Sequence, residues 1–395
     1  MSRRARDGHG VYGVKLFDFS RPDGHQLVPD HEAALDPDVE WQPSSSLSNR
    51  TVAVFVLDCR THKTPWKTGP SAFQPDYEGD FLGERQWRWL ETALSRSRAS
   101  VNVVLNGLQV HGDRFPDGNL AEAWGKYPLA QQRLYEAMLQ NGVEAPLLIS
   151  GDVHMSQLSR KECHNHKTGG TRSLVEITTS GMTHSWGSSS PPLDDLHAIP
   201  TLYQQFERFL AGSLMHLLHM VCPWTELMIS DASPDDISLE NGGAEGATTG
   251  LQYSLEKNFG ELEFDWDKQI VSMRVLGEDV DSPPLLSAKW SMDQLSGRAS
   301  TPGSSLGLED FQRQRELTKL VDNEWTCANH RGVVTVTQHL FGHVTAGMVF
   351  SILLPFPFLL PAYLLLVVLG RYARRSQLSR TSKTGFCVNV SKQAA

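Results

Sequence analysis

APLLISGDVH, residues 145–154, is the stretch on which the fold turns. Its first half is a short uncharged apolar run, as expected of a strand buried on both faces of a sheet. Its second half leaves that strand through Gly151, which lets the chain turn sharply, and puts Asp152 and His154 just beyond the strand end. Working outward, the same kind of run recurs as VAVFVL (52–57), VNVVL (101–105) and SLVEITTSG (173–181). Between the runs lie helical patterns. In GERQWRWLETALSRS (83–97), Trp87, Leu90 and Leu94 fall at helical spacing with charges opposite. LAQQRLYEAMLQNG (129–142) places Leu134, Tyr135, Met138 and Leu139 on one face and ends in Asn-Gly. Strands alternating with helices predict α/β architecture with crossovers packed on a central sheet, and ligands of such sheets bind beyond the carboxyl ends of the strands.

Further out the pattern changes. Residues 1–50 are polar and read as loop. ELEFDWDKQIVSMRVLG (261–277) alternates, turns at Asp267-Lys268 and alternates again, which predicts a β-hairpin. Residues 278–343 read as a Ser/Pro/Gly-rich linker followed by a stalk. Residues 344–370 are 27 residues without a charge, enough for a helix crossing a bilayer, kinked by Pro355, Pro357 and Pro361. Arg371, Arg374 and Arg375 follow, so residues 371–395 are expected to be a basic cytoplasmic tail and the main domain extracytoplasmic, in a single-pass arrangement. Asn49-Arg50-Thr51 is a glycosylation acceptor that suits such a location.

Net charge is −9, and residues 371–395 carry six basic residues and no acidic one, so the body is more acidic than the total implies. Such a body presents no surface suited to nucleic acid, which needs a basic face to neutralise phosphates. The five cysteines (Cys59, Cys163, Cys222, Cys327, Cys387) form no C-x-x-C pair, which argues against a structural zinc site. Four of them lie in the body, where up to two bridges are open to them if it is extracytoplasmic. The amino terminus lacks the apolar segment of a signal peptide.

Two strand ends carry chemistry. Asp152 and His154 offer one hard oxygen and one imidazole nitrogen, a pairing suited to iron, manganese or zinc rather than to calcium alone. A metal there would polarise a phosphoryl oxygen or activate water; the structural alternative is an Asp that caps a turn beside an exposed His. Asp58 and Arg60 follow VAVFVL, and an arginine at a strand end binds phosphate in a two-pronged manner that lysine cannot match. The structural alternative there is an Asp–Arg pair that fastens the next loop. His111, Cys163-His164-x-His166, His184 and Trp186 are weaker candidates. No P-loop is present, which counts against an NTPase.

Taken in order, VFVLDCR, LGERQWRWLETALSRSRA, W-x-x-YPLAQQRLYEAM, LLISGDVHMSQ and LVEITTSGMTHS resemble the core of the PhoD-like (alkaline phosphatase D-like) metallophosphatases, and NFGELEFDWD (258–267) resembles a hairpin found in some eukaryotic members. The resemblance spans residues 10–277. It implies a partial phosphatase domain over residues 51–277, a metallophosphoesterase-like sandwich followed by the hairpin, and then the linker and one carboxy-terminal transmembrane helix. It also implies hydrolysis of phosphate esters, with Asp152 and His154 as ligands to divalent or trivalent metal ions (iron, manganese, zinc or calcium), Arg60 as a phosphate contact and Asp58 beside it. Cys59 stands where the family has Thr. The family's further ligands come from segments upstream of the LDTR-type motif, and residues 1–50 hold nothing of that kind, so the chain is expected to begin in mid-domain. Two function classes remain open on this reading: a membrane-anchored phosphatase or phosphodiesterase, inactive if ligands are missing, and a non-catalytic membrane-anchored scaffold. The expected partners are a phosphate-ester substrate and, through residues 344–370, a lipid bilayer.

Overall fold

The four apolar runs become the parallel centre of one sheet. In the computed structural model, residues 7–20, 26–27, 48–69, 71, 75–112, 122–140, 142–185, 253–299, 306–318 and 323–329 are described, with Val344, Met348, Tyr363–Leu365 and Val367–Leu369. The run at 52–57 is β3 (Thr51–Val56), that at 101–105 is β4 (Val101–Leu105), that at 145–150 is β5 (Pro146–Ser150), and that at 173–181 is β7 (Thr171–Thr179). β3, β4, β5 and β7 pair parallel in that order, Val54 opposite Val103 and Leu148 opposite Glu176. Antiparallel strands extend both sides. On one side β1 (Gly13–Asp18) pairs with β3, and β2 (Gln26–Leu27) with β1. On the other, β6 (Ser156–Asn165) pairs with β7, and both β8 (Tyr253–Ser254) and β12 (Trp325–Asn329) pair with β6.

Side chains alternate across the sheet, and each face has its own cover. One face receives Phe55, Val104, Leu148 and Leu174 and is packed by α1 (Gly83–Arg96) and α2 (Pro128–Leu139) through Trp87, Leu90, Leu94, Leu134 and Met138. The other receives Val103, Leu147, Val175 and Ile177. A three-stranded sheet covers it, made of β9 (Phe259–Asp265), β10 (Ile270–Leu276) and β11 (Leu286–Ser291), with Val271, Met273, Val275 and Trp290 facing inward.

Several expectations are corrected here. The hairpin does not follow the sandwich; it supplies two strands of its second layer, because its apolar alternation needs the open face of the main sheet to bury against. The expected linker is ordered in part: β11, one helical turn at Met292–Leu295 and α3 (Leu308–Thr318) lie within 278–318, and the stalk contains β12. The fold is thus a sheet-rich mixed α/β arrangement. The carboxy-terminal transmembrane helix is not supported: among the described residues no helix is long and apolar enough to cross a membrane. An uncharged run supplies apolarity but not an unbroken helix of about 20 residues, and the three prolines in 344–370 each lack the N–H a helix uses. Most of 344–370 and all of 371–395 lie outside the described residues. Residues 344–395 form a contact unit separate from residues 1–343.

Three further strands were not legible as such. β1 and β2 lie in the segment read as loop, and β6 is the polar sequence SQLSRKECHN. Nine of the ten residues of β6 are buried, including Arg160, Lys161 and Glu162. Arg160 reaches Glu162 at 3.2 Å and lies 5.3 Å from the Trp290 ring, so charge pairing and ring contact replace the apolar alternation a buried strand normally shows.

Candidate phosphate site at the carboxyl ends of the strands

Asp58, at the end of β3, organises the loop that carries Arg60. Its Oδ1 accepts from the backbone N–H of Arg60 and of Thr61, both at 2.9 Å. Its Oδ2 accepts from the Thr61 hydroxyl at 2.5 Å and from the Val11 N–H at 2.7 Å. Gln86 of α1 brackets the same residue, accepting from the Asp58 N–H at 2.8 Å and donating to its carbonyl at 2.9 Å. A glycine stands at position 10 for a reason: a Cβ there would meet Asp58 Oδ2 at 2.9 Å, and its φ is +102°. Burial alone would raise the Asp58 carboxyl. The hydrogen bonds from Thr61, Val11 and Arg60 outweigh it and bring the carboxyl down to about 2.

That depression has a consequence for acid stability. A carboxyl held below its unfolded value of about 3.9 stabilises the fold above that value and loses the contribution as pH falls through about 2. With the group partly exposed, solvent screening reduces the contribution to on the order of 1 kcal/mol. Asp58→Asn is therefore expected to flatten the stability profile between pH 4 and pH 2, read by urea denaturation at each pH. An unchanged slope there would show that Asp58 is not held ionised by its loop.

Arg60 projects from this loop toward two carboxylates. Its Nη2 lies 3.4 Å from Asp152 Oδ1, and its Nη1 is ion-paired with Glu122. Glu122 Oε1 also accepts from the Trp66 indole N–H at 2.7 Å and lies 3.6 Å from Lys63 Nζ. Lys63 in turn sits 3.7 Å over the Trp66 ring, and Trp66 stacks on Tyr127 with centroids 4.9 Å apart. Glu122 is carried by a segment anchored to the sheet: Ala123 bridges Gln109, whose carbonyl accepts from the Trp124 N–H at 3.0 Å.

The turn after β5 is strained. Asp152 has φ +75° and His154 φ +54°, left-handed values that non-glycine residues seldom adopt. The turn is held by the His154 N–H, which donates to the Ser180 hydroxyl beyond β7 at 3.0 Å. His154 meets His184 edge to face with ring centroids 5.0 Å apart. Burial is the main influence that raises the Asp152 carboxyl; Glu122 adds to it, while Arg60 and His154 oppose it.

The structure therefore brings Arg60, Asp152 and His154 to one rim and places Asp58 beneath it as a loop fastener. Glu122, Lys63 and Trp66 were not singled out from sequence, and neither spacing nor periodicity marks them. His111 is not at the rim. It is buried, with Nε2 2.8 Å from the Leu174 carbonyl and Nδ1 3.1 Å from the Tyr135 hydroxyl, and burial, aided by nearby Lys161, pushes it down to about 3. The C-H-x-H group is structural: Cys163 is bonded to Cys327, and His166 Nε2 lies 2.8 Å from the Thr326 hydroxyl. Trp186 lies outside the described residues.

This rim lies within the part of the chain that matches a known family. Residues 49–207 match the PhoD-like phosphatases. The PhoD-like segment holds β3, β4, β5, β6 and β7 with both helices that cover them, and every side chain of the rim. The solved structure of PhoD is similar at 18% identity over 39% of this chain, with a TM-score of 0.28, a likeness too slight to carry an argument. This chain covers 31% of the length of that structure. No curated protein matches the chain.

The PhoD-like family implies a metal centre, which the rim residues can be tested against. Among the described residues no group of three or more His, Cys, Asp or Glu side chains is placed to hold a metal ion. Asp152 faces a guanidinium, and His154 and His184 face each other edge to face, which falls short of the three or four converging ligands a tightly held ion requires. The residues described do not fit the metal, and the roles below are those of side chains.

Proposed function

We propose that the PhoD-like segment binds a phosphate ester at the carboxyl ends of β3, β5 and β7 and promotes its hydrolysis. The observation that carries this reading is the placement of Arg60 beside Asp152 and the strained SGDVH turn, at the strand ends where α/β sheets bind ligands. A guanidinium there would neutralise charge on the non-bridging phosphoryl oxygens as the ester bond breaks. Lys63 adds a second cation on the same side. His154 supplies an exposed imidazole, the side chain most used for moving a proton to or from an oxygen in such reactions. Asp152 would hold Arg60 in orientation, and Asp58 would hold the loop.

The disulfide Cys163–Cys327 supports placing the main domain in an oxidising, extracytoplasmic compartment, since such bridges persist there and not in the cytosol.

The test is hydrolysis of a generic aryl phosphate monoester and diester by the purified chain, with and without added iron, manganese, zinc or calcium salts. Arg60→Ala and His154→Ala are each expected to lower kcat/KM by about 100-fold, the usual order for losing one transition-state contact. Turnover that survives both substitutions would place the chemistry elsewhere. A folded chain that binds inorganic phosphate through Arg60 but turns nothing over would instead favour a binding module.

A further inference from the structure

The Glu122 carboxylate is enclosed by an unusual set of donors. A guanidinium (Arg60), an ammonium (Lys63, 3.6 Å) and an indole N–H (Trp66, 2.7 Å) converge on its two oxygens. Cationic and N–H donors converging on one tetrahedral or planar anion are what a phosphoryl group also requires. Here the anion is the protein's own. The charges in the cluster, Arg60 and Lys63 against Glu122 and Asp152, sum to zero, so in this arrangement it offers an incoming phosphate no net attraction. With Glu122 withdrawn, one positive charge and the Trp66 N–H become available together.

We propose that Glu122 is an internal stand-in for the substrate phosphate: it occupies the Arg60–Lys63–Trp66 cradle in the free protein and is displaced when a phosphate ester binds. This rests on the reading of Arg60 as the phosphate contact and adds to it a resident competitor, with Lys63 and Trp66 as further phosphate donors. The exchange replaces one set of charge-assisted hydrogen bonds by another, so it keeps two cations from facing each other unneutralised in the absence of ligand. The displaced carboxylate turns toward solvent by rotation of its own partly exposed side chain, while the backbone stays anchored one residue later at Ala123.

The experiment is titration of the full chain with inorganic phosphate by calorimetry, at fixed pH and ionic strength, for the parent, Glu122→Gln, Arg60→Ala, the double variant and Glu91→Gln. Gln at position 122 still accepts from the Trp66 N–H but no longer competes as an anion. It is expected to tighten phosphate binding about tenfold, whereas Glu91→Gln, which removes a partner of Arg133 on the helical face, leaves binding unchanged. Arg60→Ala is expected to abolish binding in either background. If Glu122→Gln weakens or does not alter binding while Arg60→Ala abolishes it, Glu122 orients the arginine and the stand-in proposal is overturned with the phosphate reading intact. If Arg60→Ala leaves binding unchanged, the underlying reading fails as well. Independently of affinity, the Trp66 indole N–H resonance, assigned by Trp66→Phe, is expected to shift on adding phosphate to the parent. A stationary resonance at saturating phosphate would overturn the proposal.

Discussion

Glu176→Ala is expected to destabilise the domain by about 4 kcal/mol, enough to unfold a marginal protein. Glu176 lies on β7, fully buried, and its two oxygens each accept a backbone N–H at 2.7 Å, from Val110 and from His111. The Ser159 hydroxyl approaches at 3.4 Å. Truncation leaves both N–H groups buried without an acceptor, at about 1–3 kcal/mol each, and a small cavity besides. Glu176→Gln keeps one acceptor oxygen and sets an amide N–H against the other donor, so about half the loss is expected. The effect reaches the rim. Val110 and His111 are tied down by Glu176, and Gln109 next to them carries the bridge to Ala123 beside Glu122. Urea denaturation of the three proteins measures the cost. A loss below about 1 kcal/mol for the alanine variant would mean that the loop finds other acceptors and is not held by this carboxylate.

Removing the Cys163–Cys327 bridge, by reduction or by the paired serine substitution, is expected to cost about 3–4 kcal/mol. The two cysteines are direct partners across β6 and β12 and are 164 residues apart in sequence. Closing so long a loop removes much of the freedom of the unfolded chain, for which the entropic estimate is near 5 kcal/mol and measured values usually run lower. The first consequence should be local. β12 retains the Gln132 side chain donating to the Trp325 carbonyl at 2.6 Å and Glu136 accepting from the Glu324 N–H at 3.0 Å, but it is an edge strand, and protection of its amides should fall before that of β5. Denaturation with and without reductant measures the loss; equal midpoints would show that the bridge contributes nothing. Peptide mapping of protein taken from cells tests the compartment, with buried Cys59, which is in no disulfide among the described residues, as the unreactive control. Free thiols at both Cys163 and Cys327 in native material would count against an oxidising location.

What the residues alone determined is the part encoded by near neighbours. Apolar, β-rich runs specified β3, β4 and β5, and a largely apolar one specified β7, because a strand buried on both faces has little polar surface to spare; Glu176 within β7 is the exception that the run does not explain. Trp87, Leu90 and Leu94 specified the buried face of α1 for the same local reason, and a glycine-led turn at a strand end marked Asp152 and His154 as rim residues. The alternation of 261–277 specified a hairpin, though not the layer it joins. The rest needed partners distant in sequence. β6 lies in the core with Arg160 and Glu162 paired along the strand, Arg160 and Lys161 over the Trp290 and Tyr135 rings and Glu162 accepting from the Ser173 hydroxyl; those rings and that hydroxyl belong to other elements, which SQLSRKECHN does not show. The role of Asp58 depends on Val11 and Gln86, and the cradle around Glu122 is assembled from residues 60–66 and a position about 60 residues later. For the carboxy-terminal apolar run, hydropathy over 27 residues reports solubility in lipid, while helix continuity depends on backbone hydrogen bonding, which composition does not report; most of that run lies outside the described residues. Periodicity and apolar runs carry short-range information, and charge pairing, disulfide pairing and site convergence are long-range, so only the folded chain decided them.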